Sequence, residues 1–367
     1  MNIGITGQAG FIGYHLTNYL LQRNFNVIPV NKEDFSSDQK LCKAIQNCNV
    51  IIHLAGMNRG PDTEVYDCNI RLASQLINAL QESNLKPAII FASSTQEEMG
   101  SLYGRSKKEV TNLFIDWATK NKTNFTSLLI PNVYGPFCKP FYNSVIATFC
   151  YQLTHNQEPV IKIDKSLKLI YINDLVEKIH EVMEKPSCEH RVNLQTDVEI
   201  RVSEILSLLK KFQEEYLEKH VFPYLSKSFE INLFNTFRSY IESDHFPIKS
   251  VVRNDERGTL VEAVKEKTGG QIFYSSTKPG KTRGNHFHRR KIERFFVIKG
   301  VALIKTRKIG STEIFEYKLN GKEPSFVDIP LHYTHNITNI GKKDLITIFW
   351  TNEIFNTQDT DTFPENV

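Results

Sequence analysis

The chain has 367 residues, of which 40% are hydrophobic and 23% charged, a composition typical of soluble globular proteins. This length suits two domains of ordinary size. The net charge of +4 and the lack of a long Lys/Arg block exclude a nucleic-acid-binding stripe. No apolar run approaches the roughly 20 residues of a membrane span, and the N-terminus does not resemble a signal peptide. Six cysteines without a C-x-x-C pair indicate reduced thiols, so we expect a cytoplasmic protein.

The first part of the chain alternates strands and helices. The predicted strands are 1–6, 26–30, 49–56, 88–94 and 124–135. The predicted helices between them are 11–23, 40–46, 71–83 and 106–120. Such alternation indicates βαβ units, and the nearly continuous apolar strands fit a parallel sheet buried on both faces. We therefore predict an α/β fold with a Rossmann-type doubly wound sheet.

The middle of the chain is helical and the last third is rich in strands. Apolar spacing near 3.6 predicts helices over 174–185, 202–219 and about 228–243. From Phe246 onward, short β-rich runs predict an all-β barrel or sandwich; they span 251–264, 270–277, 295–307, 312–319, 324–330 and 344–352. We expect two domains, 1–245 and 246–367.

Three glycines follow the first strand and open the first helix, in TGQAGFIG. Glycine there allows a tight turn, close approach of the backbone to a pyrophosphate, and close packing of helix on strand. The spacing is G-x-x-G-x-x-G rather than the general G-x-G-x-x-G, so the triplet alone also fits a simple helix-entry turn. The segment HLAG closes the third strand beside it. The candidate cofactor-binding residues are Gly7, Gly10, Phe11, Ile12, Gly13, Leu54, Ala55 and Gly56.

Tyr103 and Lys107 lie four residues apart in YGRSK, which places them on one helix face. A nearby ammonium stabilises a phenolate, so the tyrosine can exchange a proton near neutral pH. A hydroxyl at the end of the preceding strand can hold a carbonyl oxygen; Ser93, Ser94 and Thr95 are the candidates. A Y-x-x-x-K pair by itself is more often a solvated helix face. Here it follows the glycine turn, HLAG and a Ser-Ser strand end, which favours a catalytic pair.

The first 245 residues resemble the extended short-chain dehydrogenase/reductases, particularly those that act on nucleotide-sugars. TGQAGFIG, HLAG, SST, YGRSK and PNVYGP match that family in order. The resemblance implies that Tyr103 donates a proton to a reduced carbonyl and that Ser94 orients the substrate. It also implies that Lys107 holds the cofactor ribose and lowers the pKa of the tyrosine.

Other segments carry the same resemblance, with one departure. PNVYGP, at 131–136, would border the nicotinamide and the substrate, and YINDLVEKI, at 171–179, would pack near the sugar nucleotide. Only eight residues separate Ser94 from Tyr103, fewer than is usual in this family. We therefore expect a short substrate loop, and the identity of the orienting hydroxyl stays open.

The end of the second strand bears on the choice of cofactor. NAD-binding proteins of this kind usually end that strand with Asp or Glu, which bonds the ribose 2′-hydroxyl. Here the strand ends in VNK, so Asn31 and Lys32 stand at this place, and the lysine would attract a 2′-phosphate. We therefore expect NADPH, although Glu33 and Asp34 are close enough to confuse the register.

The segment GKTRGNHFHRRKIERFFVIKG places His286, His288 and Glu293 at spacing H-x-H-x4-E, and His335 follows in PLHYTHNITN. Alternate residues on one strand point to the same side, so His286 and His288 can converge on one ion. Glu293 would return on the next strand. A single buried histidine is more often a core residue, but three imidazoles and a carboxylate suit a divalent transition metal. Zinc suits chemistry without redox change best, and iron would suit an oxygenase.

The same segment matches the first cupin motif, G-x5-H-x-H-x4-E-x6-G, at every specified position. Pro330, His335 and Asn339 fit the second motif, whose glycine is replaced by His332. The resemblance covers about 250–360 and implies a double-stranded β-helix barrel with a metal inside. His332 would be a proton-transfer residue or a hydrogen-bonded core group.

Nearly end to end, the chain resembles the bifunctional capsular-polysaccharide enzymes of the CapF/WbjC type, in which an extended reductase precedes a zinc cupin. The resemblance implies a UDP-linked 2-acetamido-2,6-dideoxy-4-ketohexose substrate. The cupin, holding Zn²⁺ or another divalent metal, would invert C3. The reductase would then reduce C4 with NADPH to UDP-2-acetamido-2,6-dideoxy-L-talose, towards UDP-N-acetyl-L-fucosamine. A homodimer or higher homo-oligomer is also implied.

Three other interpretations of the chain stay open. The cupin could only bind sugar or dimerise beside an active reductase, or it could be an iron-dependent oxygenase. The whole chain could also be a non-enzymatic module that binds or senses a nucleotide-sugar. The intact pair of Tyr103 and Lys107 argues against this last interpretation.

Overall fold

The computed structural model forms two compact units. Unit 1 comprises Met1–Thr148 and Ile163–Val202, and unit 2 comprises Phe149–Lys162 and Ser203–Val367. The helices just before the β-rich region thus belong to the same compact unit as the strands, and the division of activities at residue 245 stays a prediction. The structure describes residues 1–185, 190–250, 252–255, 258–261, 264, 270–353 and 356–367.

Strands and helices alternate along residues 1–202, as predicted. The strands are β1 (Asn2–Thr6), β2 (Asn26–Val30), β3 (Val50–His53), β4 (Ala88–Ser94), β5 (Phe125–Ile130), β6 (Asn132–Tyr134), β7 (Ser166–Tyr171), β8 (Arg191–Asn193) and β9 (Val198–Arg201). The helices are α1 (Phe11–Leu21), α2 (Asp38–Ile45), α3 (Asp62–Glu82), α4 (Leu102–Asn121), α5 (Val145–Thr154) and α6 (Ile172–Glu184).

A parallel sheet of six strands, in the order β2-β1-β3-β4-β5-β8, forms the centre of unit 1. Strands β3 and β5 are buried along their whole length, which agrees with a sheet covered on both faces. From β1 the chain passes to β2 on one side and then to β3 on the other, so the topology switches between β1 and β3. Ligands of such sheets bind at the carboxyl ends of the strands beside the switch. The predicted doubly wound fold is confirmed.

Several boundaries differ from the sequence prediction. α3 begins at Asp62 rather than at residue 71, and α4 begins at Leu102 rather than at residue 106. The single strand expected over 124–135 is divided at Pro131, because proline has no N–H to continue the ladder. β5 ends before it, and β6 pairs with β7 in a separate sheet of three strands. The helix expected over 228–243 ends at Arg238.

Unit 2 combines helices with antiparallel sheets. Its further helices are α7 (Val202–Phe212) and α8 (Ser228–Arg238), with a π-helical turn at Gln213–Glu218 after α7. Its strands are β10 (Ile248–Lys249), β11 (Val252–Asp255), β12 (Gly258–Val261), β13 (Gln271–Thr277), β14 (Thr282–Phe287), β15 (Glu293–Lys299), β16 (Val301–Lys308), β17 (Ile314–Asn320), β18 (Ser325–Ile329), β19 (Tyr333–Asn339), β20 (Leu345–Thr351) and β21 (Phe363–Pro364).

Two five-stranded antiparallel sheets build the β domain, in the orders β10-β18-β15-β20-β13 and β17-β16-β19-β14-β21. Apolar side chains from both sheets share one buried cluster, with Phe295 and Val327 from the first and Ile304 and Ile337 from the second. This arrangement is consistent with the predicted cupin. The β-rich run expected over 251–264 is described only at β11, β12 and residue 264; its remaining positions lie outside the described residues.

Two general expectations concern membrane spans and disulfides. Among the described residues, no helix has the length and apolar character needed to cross a membrane. None of the five described cysteines is joined in a disulfide, and Cys188 lies outside the described residues. Both findings agree with the sequence prediction for the part of the chain that they cover.

A buried ion pair links two strands of the β domain. Arg294 Nε lies 2.7 Å from Asp328 Oδ1, and the two side chains are 2% and 0% exposed. Arg294 Nη2 donates to Asp328 Oδ2 at 2.9 Å, and the Tyr216 hydroxyl donates to the same oxygen. Burial favours the neutral acid, but the Arg294 guanidinium outweighs it and holds the pKa of Asp328 below its ordinary value. Removal of one partner would therefore leave an uncompensated buried charge.

We expect Asp328→Ala to lower the free energy of unfolding of unit 2 by about 3–5 kcal/mol, the usual cost of breaking a buried pair from one side. Glu316→Ala is the matched control, because the pair of Lys305 and Glu316 is 34% and 52% exposed and such pairs contribute at most about 1 kcal/mol. Urea denaturation followed by ¹⁹F-tryptophan NMR would report unit 2 through Trp350. Equal losses in the two variants would contradict the prediction.

Candidate functional site

The glycine turn between β1 and α1 packs directly against the segment after β3. Gly7 has φ +71°, and a side chain there would lie 2.8 Å from the backbone nitrogen of Ala55. A side chain at Gly13 would lie 2.6 Å from Gln8 Cα, so these positions need glycine. α1 begins immediately after Gly10, which leaves its N-terminal amides and dipole available to an anion. The turn therefore has the form of a pyrophosphate cradle at the switch point of the sheet.

Hydrogen bonds of Thr6, at the end of β1, connect this strand to His53 at the end of β3 and to the segment that follows. The backbone N–H of Ala55 donates to Thr6 Oγ1 at 3.0 Å, and Thr6 Oγ1 lies 2.9 Å from His53 Nδ1. Burial, with a smaller effect of the Lys107 charge, lowers the pKa of His53 to about 3, so the imidazole is neutral. Sequence analysis assigned no role to either residue, although His53 opens the HLAG motif. Together they position the loop that faces the glycine turn.

A cavity of about 500 Å³ lies against this turn. The predicted residues that line it are Gly7, Gly10, Phe11, Ile12, Gly13, Leu54, Gly56, Ser93, Ser94, Thr95, Tyr103 and Lys107. The segment at 130–133 and Phe137 complete one wall, so PNVYGP borders the cavity, as the resemblance implies. The cradle and the cavity fit a dinucleotide.

Three of the predicted cofactor residues lie outside the lining of this cavity, namely Ala55, Asn31 and Lys32. β2 ends at Val30, so Asn31 and Lys32 are the first residues after the strand. The backbone N–H of Asn31 donates to Asp34 Oδ2 at 2.6 Å, so the carboxylate of Asp34 is already hydrogen-bonded. The choice between NADPH and NADH stays a prediction.

Tyr103 and Ser94 meet at the wall of the cavity. Burial raises the pKa of Tyr103 to about 12, and a hydrogen bond with Ser94 opposes that rise. The phenol therefore holds its proton at neutral pH. This direction is opposite to the one that the family resemblance implies, because burial outweighs the hydrogen bond with Ser94. Lys107 Nζ lies 5.8 Å from the centre of the Tyr103 ring.

The Lys107 ammonium is buried beneath the cavity. It donates to the carbonyl oxygen of Ala92 at 2.8 Å. Burial lowers its pKa to about 8, and the negative charge of Glu97 opposes that shift. The pKa of Lys107 is therefore close to neutral pH, and the charge of Glu97 helps to keep the side chain protonated.

Glu97 also decides where the strand-end hydroxyls point. Ser93 Oγ donates to Glu97 Oε1, and Thr111 Oγ1 donates to the same oxygen at 2.9 Å. Arg191 Nε lies 3.6 Å from Glu97 Oε2. Ser93 is thus turned towards a buried carboxylate, whereas Ser94 reaches Tyr103. Sequence analysis missed Glu97, although its place in the short Ser-to-Tyr loop was a signal.

The four predicted metal ligands come together in the β domain. The candidate ligand atoms of His286, His288, Glu293 and His335 all lie within 4.8 Å of one another. His288 Nε2 and His335 Nε2 are each 3.1 Å from Glu293 Oε2. None of these three buried atoms meets hydrogen-bond geometry with a described residue. Tetrahedral zinc, with bonds of about 2.0–2.2 Å, holds its ligand atoms roughly 3.3 Å apart, so this donor set fits a metal ion.

The far side of each ring is anchored to the backbone. His288 Nδ1 donates to the carbonyl oxygen of Asp361 at 2.6 Å, and His335 Nδ1 donates to that of Tyr333 at 3.2 Å. A carbonyl can only accept, so in each neutral ring Nδ1 carries the proton and Nε2 is left to bind a metal. Burial, followed by the neighbouring imidazole of His335, lowers the pKa of His286 to about 4. Neutral imidazole is the form that binds metal.

One detail of the predicted motif is corrected. His286 and His288 do not lie on one regular strand, because β14 ends at Phe287 and its register shifts between Gly284 and His286. Asn285 has φ +60°, which bends the chain there. His332, at the glycine position of the second motif, has φ +58°, so the backbone keeps the conformation for which glycine is suited.

Comparisons with known proteins match both parts of the chain. The sequence model of the NAD dependent epimerase/dehydratase family matches residues 3–194, and that of the polysaccharide biosynthesis C-terminal domain matches residues 253–363. The UDP-2-acetamido-2,6-beta-L-arabino-hexul-4-ose reductase of Pseudomonas aeruginosa is 31% identical over 372 residues, which cover 99% of this chain and 98% of the reductase. The crystal structure of the capsular polysaccharide assembling protein CapF from Staphylococcus aureus is 35% identical, with a TM-score of 0.66 and 100% of each chain covered.

The chain therefore belongs to the NAD-dependent epimerase/dehydratase family, with a polysaccharide biosynthesis domain after it. Within that family it is of the CapF type, since the similarity extends over the full length of both chains. The UDP-glucose 4-epimerase of Thermotoga maritima covers 58% of this chain and 82% of its own, with 22% identity and a TM-score of 0.53, and shows the fold of that part alone.

We expect the purified protein to bind about one zinc ion per chain and His288→Ala to lose most of it, since the imidazole supplies one of four ligands. His155→Ala is the control, because His155 pairs with Glu242 away from the cluster. Metal analysis by inductively coupled plasma mass spectrometry after dialysis would measure both. Full zinc content in His288→Ala would remove this residue from the ligand set.

Proposed function

We propose that the protein is an NADPH-dependent nucleotide-sugar reductase that also epimerises its substrate. The substrate is a UDP-linked 2-acetamido-2,6-dideoxy-4-ketohexose, which the β domain inverts at C3. Unit 1 then reduces C4 to give UDP-2-acetamido-2,6-dideoxy-L-talose, towards UDP-N-acetyl-L-fucosamine for a surface polysaccharide. The observation that carries the proposal is the contact of Tyr103 with Ser94 beside the glycine cradle, in a chain similar throughout to a hexulose reductase.

The residues of unit 1 divide the reduction among them. The backbone N–H groups of the turn from Gly7 to Gly13 bind the pyrophosphate. NADPH, when bound, supplies the hydride. Ser94 holds the C4 oxygen of the sugar by its hydroxyl, and Tyr103 gives that oxygen its phenolic proton as the alcohol forms. The Lys107 ammonium, 5.8 Å from the centre of the Tyr103 ring, then stabilises the phenolate that remains on Tyr103.

The strand end after β2 supports the choice of NADPH. Asn31 and Lys32 follow Val30 directly, in the place where an acidic residue would select the ribose 2′-hydroxyl. The carboxylate of Asp34 is engaged by the backbone N–H of Asn31. The exposed Lys32 is therefore the group that a 2′-phosphate would meet.

The metal cluster supports the epimerase step. His286, His288, Glu293 and His335 would hold the ion, and a divalent metal, when bound, supplies Lewis-acid polarisation of a carbonyl. A C–H next to the C4 ketone is acidic only while that ketone is present. Inversion at C3 must therefore precede reduction at C4. A reductase whose β domain is purely structural or only binds sugar is the second candidate, because the named full-length relative is a reductase.

The deciding experiment follows the ketosugar by NMR in deuterated water, first without and then with NADPH. We expect deuterium to enter C3 before NADPH is added, and C4 reduction afterwards. Removal of the metal with a chelator should stop the exchange while leaving hydride transfer possible. Reduction without any exchange at C3 would refute the epimerase and leave the second candidate.

Tyr103→Phe should lower NADPH oxidation by about 10²–10⁴-fold, the usual contribution of a positioned acid, while C3 exchange continues. Tyr66→Phe is the control, because Tyr66 bonds Glu109 on α4 and does not line the cavity. Stopped-flow absorbance at the nicotinamide band and the deuterium assay would be run on the same samples. Loss of both activities in Tyr103→Phe would contradict separate sites.

The pH dependence of reduction tests the charge on Lys107. Its pKa is depressed to about 8, so the ammonium form, and with it the rate, should fall as pH rises through this value. Glu97→Gln keeps an oxygen for Ser93 and Thr111 but removes the charge that raises the pKa of Lys107. The fall should then begin at lower pH in this variant than in Glu98→Gln, whose side chain is exposed. Identical pH–rate profiles would exclude this role of Glu97.

A further inference from the structure

The segment 359–365, here called the clasp, runs beside β14, the strand that carries the candidate ligand His286 and ends just before His288. Within it, β21 pairs with β14, where Pro364 is opposite His286 and Phe363 is opposite Phe287. The two phenylalanine rings stack with their centres 5.3 Å apart. The backbone N–H of Glu365 donates to the carbonyl of Asn285 at 2.9 Å. The clasp thus covers the outer side of this ligand strand.

Asp361 makes two kinds of contact at the end of that strand. Its carbonyl oxygen accepts from His288 Nδ1, as described above. Its carboxylate accepts the backbone N–H groups of Arg289, Arg290 and Lys291, at 3.2, 2.9 and 2.9 Å. These three hydrogen bonds from backbone amides to one carboxylate are charge-assisted, and they hold the turn directly after His288. Asp361 is 6% exposed, so these bonds are shielded from water.

The neighbouring side chains close the clasp onto the same turn. Lys291 Nζ donates to the carbonyl of Thr360. Arg290 lies 2.8 Å from Asp359 through its guanidinium and 3.3 Å from Glu353. Asp361 itself has φ +41°, in the left-handed region. This conformation costs energy for most residues and less for glycine, asparagine and aspartate. The surrounding bonds hold it in that conformation.

We propose that Asp361 is the positioning residue of the metal site: its carboxylate fixes the turn after His288, and its carbonyl sets the tautomer and orientation of that imidazole. The inference rests on the metal site proposed above. Carbonyl partners of this kind orient ligating histidines, and their loss commonly weakens metal affinity by about 10–100-fold. Because the two partners lie 73 positions apart in sequence, this arrangement forms only when the β domain is folded.

Asp361→Gly is the sharpest variant, because glycine adopts a positive φ without strain and removes only the carboxylate. We expect the dissociation constant for zinc to rise about 10–100-fold in the full-length protein. Asp359→Asn is the matched control: among the described residues, this carboxylate of the same segment contacts the Arg290 side chain alone, and zinc affinity should stay within about twofold of the unaltered protein. Competition with a chromophoric zinc chelator measures all three proteins, with near-ultraviolet circular dichroism as the check of folding.

A second readout separates positioning from general destabilisation. Long-range ¹H–¹⁵N NMR of the zinc-loaded protein should show His288 as the Nδ1–H tautomer, with that proton protected from exchange, and the protection should be lost in Asp361→Gly. Should the glycine variant fail to fold, Asp361→Asn, which tolerates the same backbone conformation, carries the test. Unchanged zinc affinity and tautomer signal in a folded variant would overturn the proposal. If the unaltered protein binds no zinc, the metal site itself is refuted.

Discussion

Charges buried in this protein have to be compensated, and that requirement arranges the residues around both sites. In unit 1 the buried Lys107 ammonium is held by the carbonyl of Ala92 and by the charge of Glu97. In unit 2 burial favours the neutral acid, but the imidazoles of His288 and His335 outweigh it and hold the pKa of Glu293 well below its ordinary range. Unpaired charges at such depths would cost several kcal/mol each, on the order of the whole stability of a domain.

The chemistry proposed for the two units depends on one functional group of the substrate. A ketone at C4 acidifies the hydrogen on C3 and is itself the acceptor of hydride. The β domain offers a cluster that fits a Lewis acid, and unit 1 offers a protonated phenol beside a hydroxyl. Reduction removes the group on which inversion depends, so the two activities have a fixed order.

The site residues that could be predicted from the sequence are those that lie close to one another along the chain. Gly7, Gly10 and Gly13 lie within one turn, and Tyr103 and Lys107 lie one helical turn apart. His286, His288 and Glu293 lie within eight residues, so their spacing alone indicated a shared ligand set. The alternation of strands and helices likewise predicted the parallel sheet. Helix ends were less well predicted. The division at Pro131 was also missed, although proline, which lacks an N–H, is a local signal for it.

The sequence by itself determined the fold class and the candidate residues for the chemistry, because motif spacing and apolar periodicity act over a few turns. Only the tertiary structure decided how those residues are held. Glu97 accepts a hydrogen bond from Ser93, Thr6 and His53 join two strand ends, and the carbonyl of Asp361 accepts one from His288. Each depends on hydrogen bonds formed when the chain packs, and Thr6–His53 and Asp361–His288 join residues far apart in sequence. A buried donor or acceptor takes whichever partner packing brings within about 3 Å, and no local pattern records that choice.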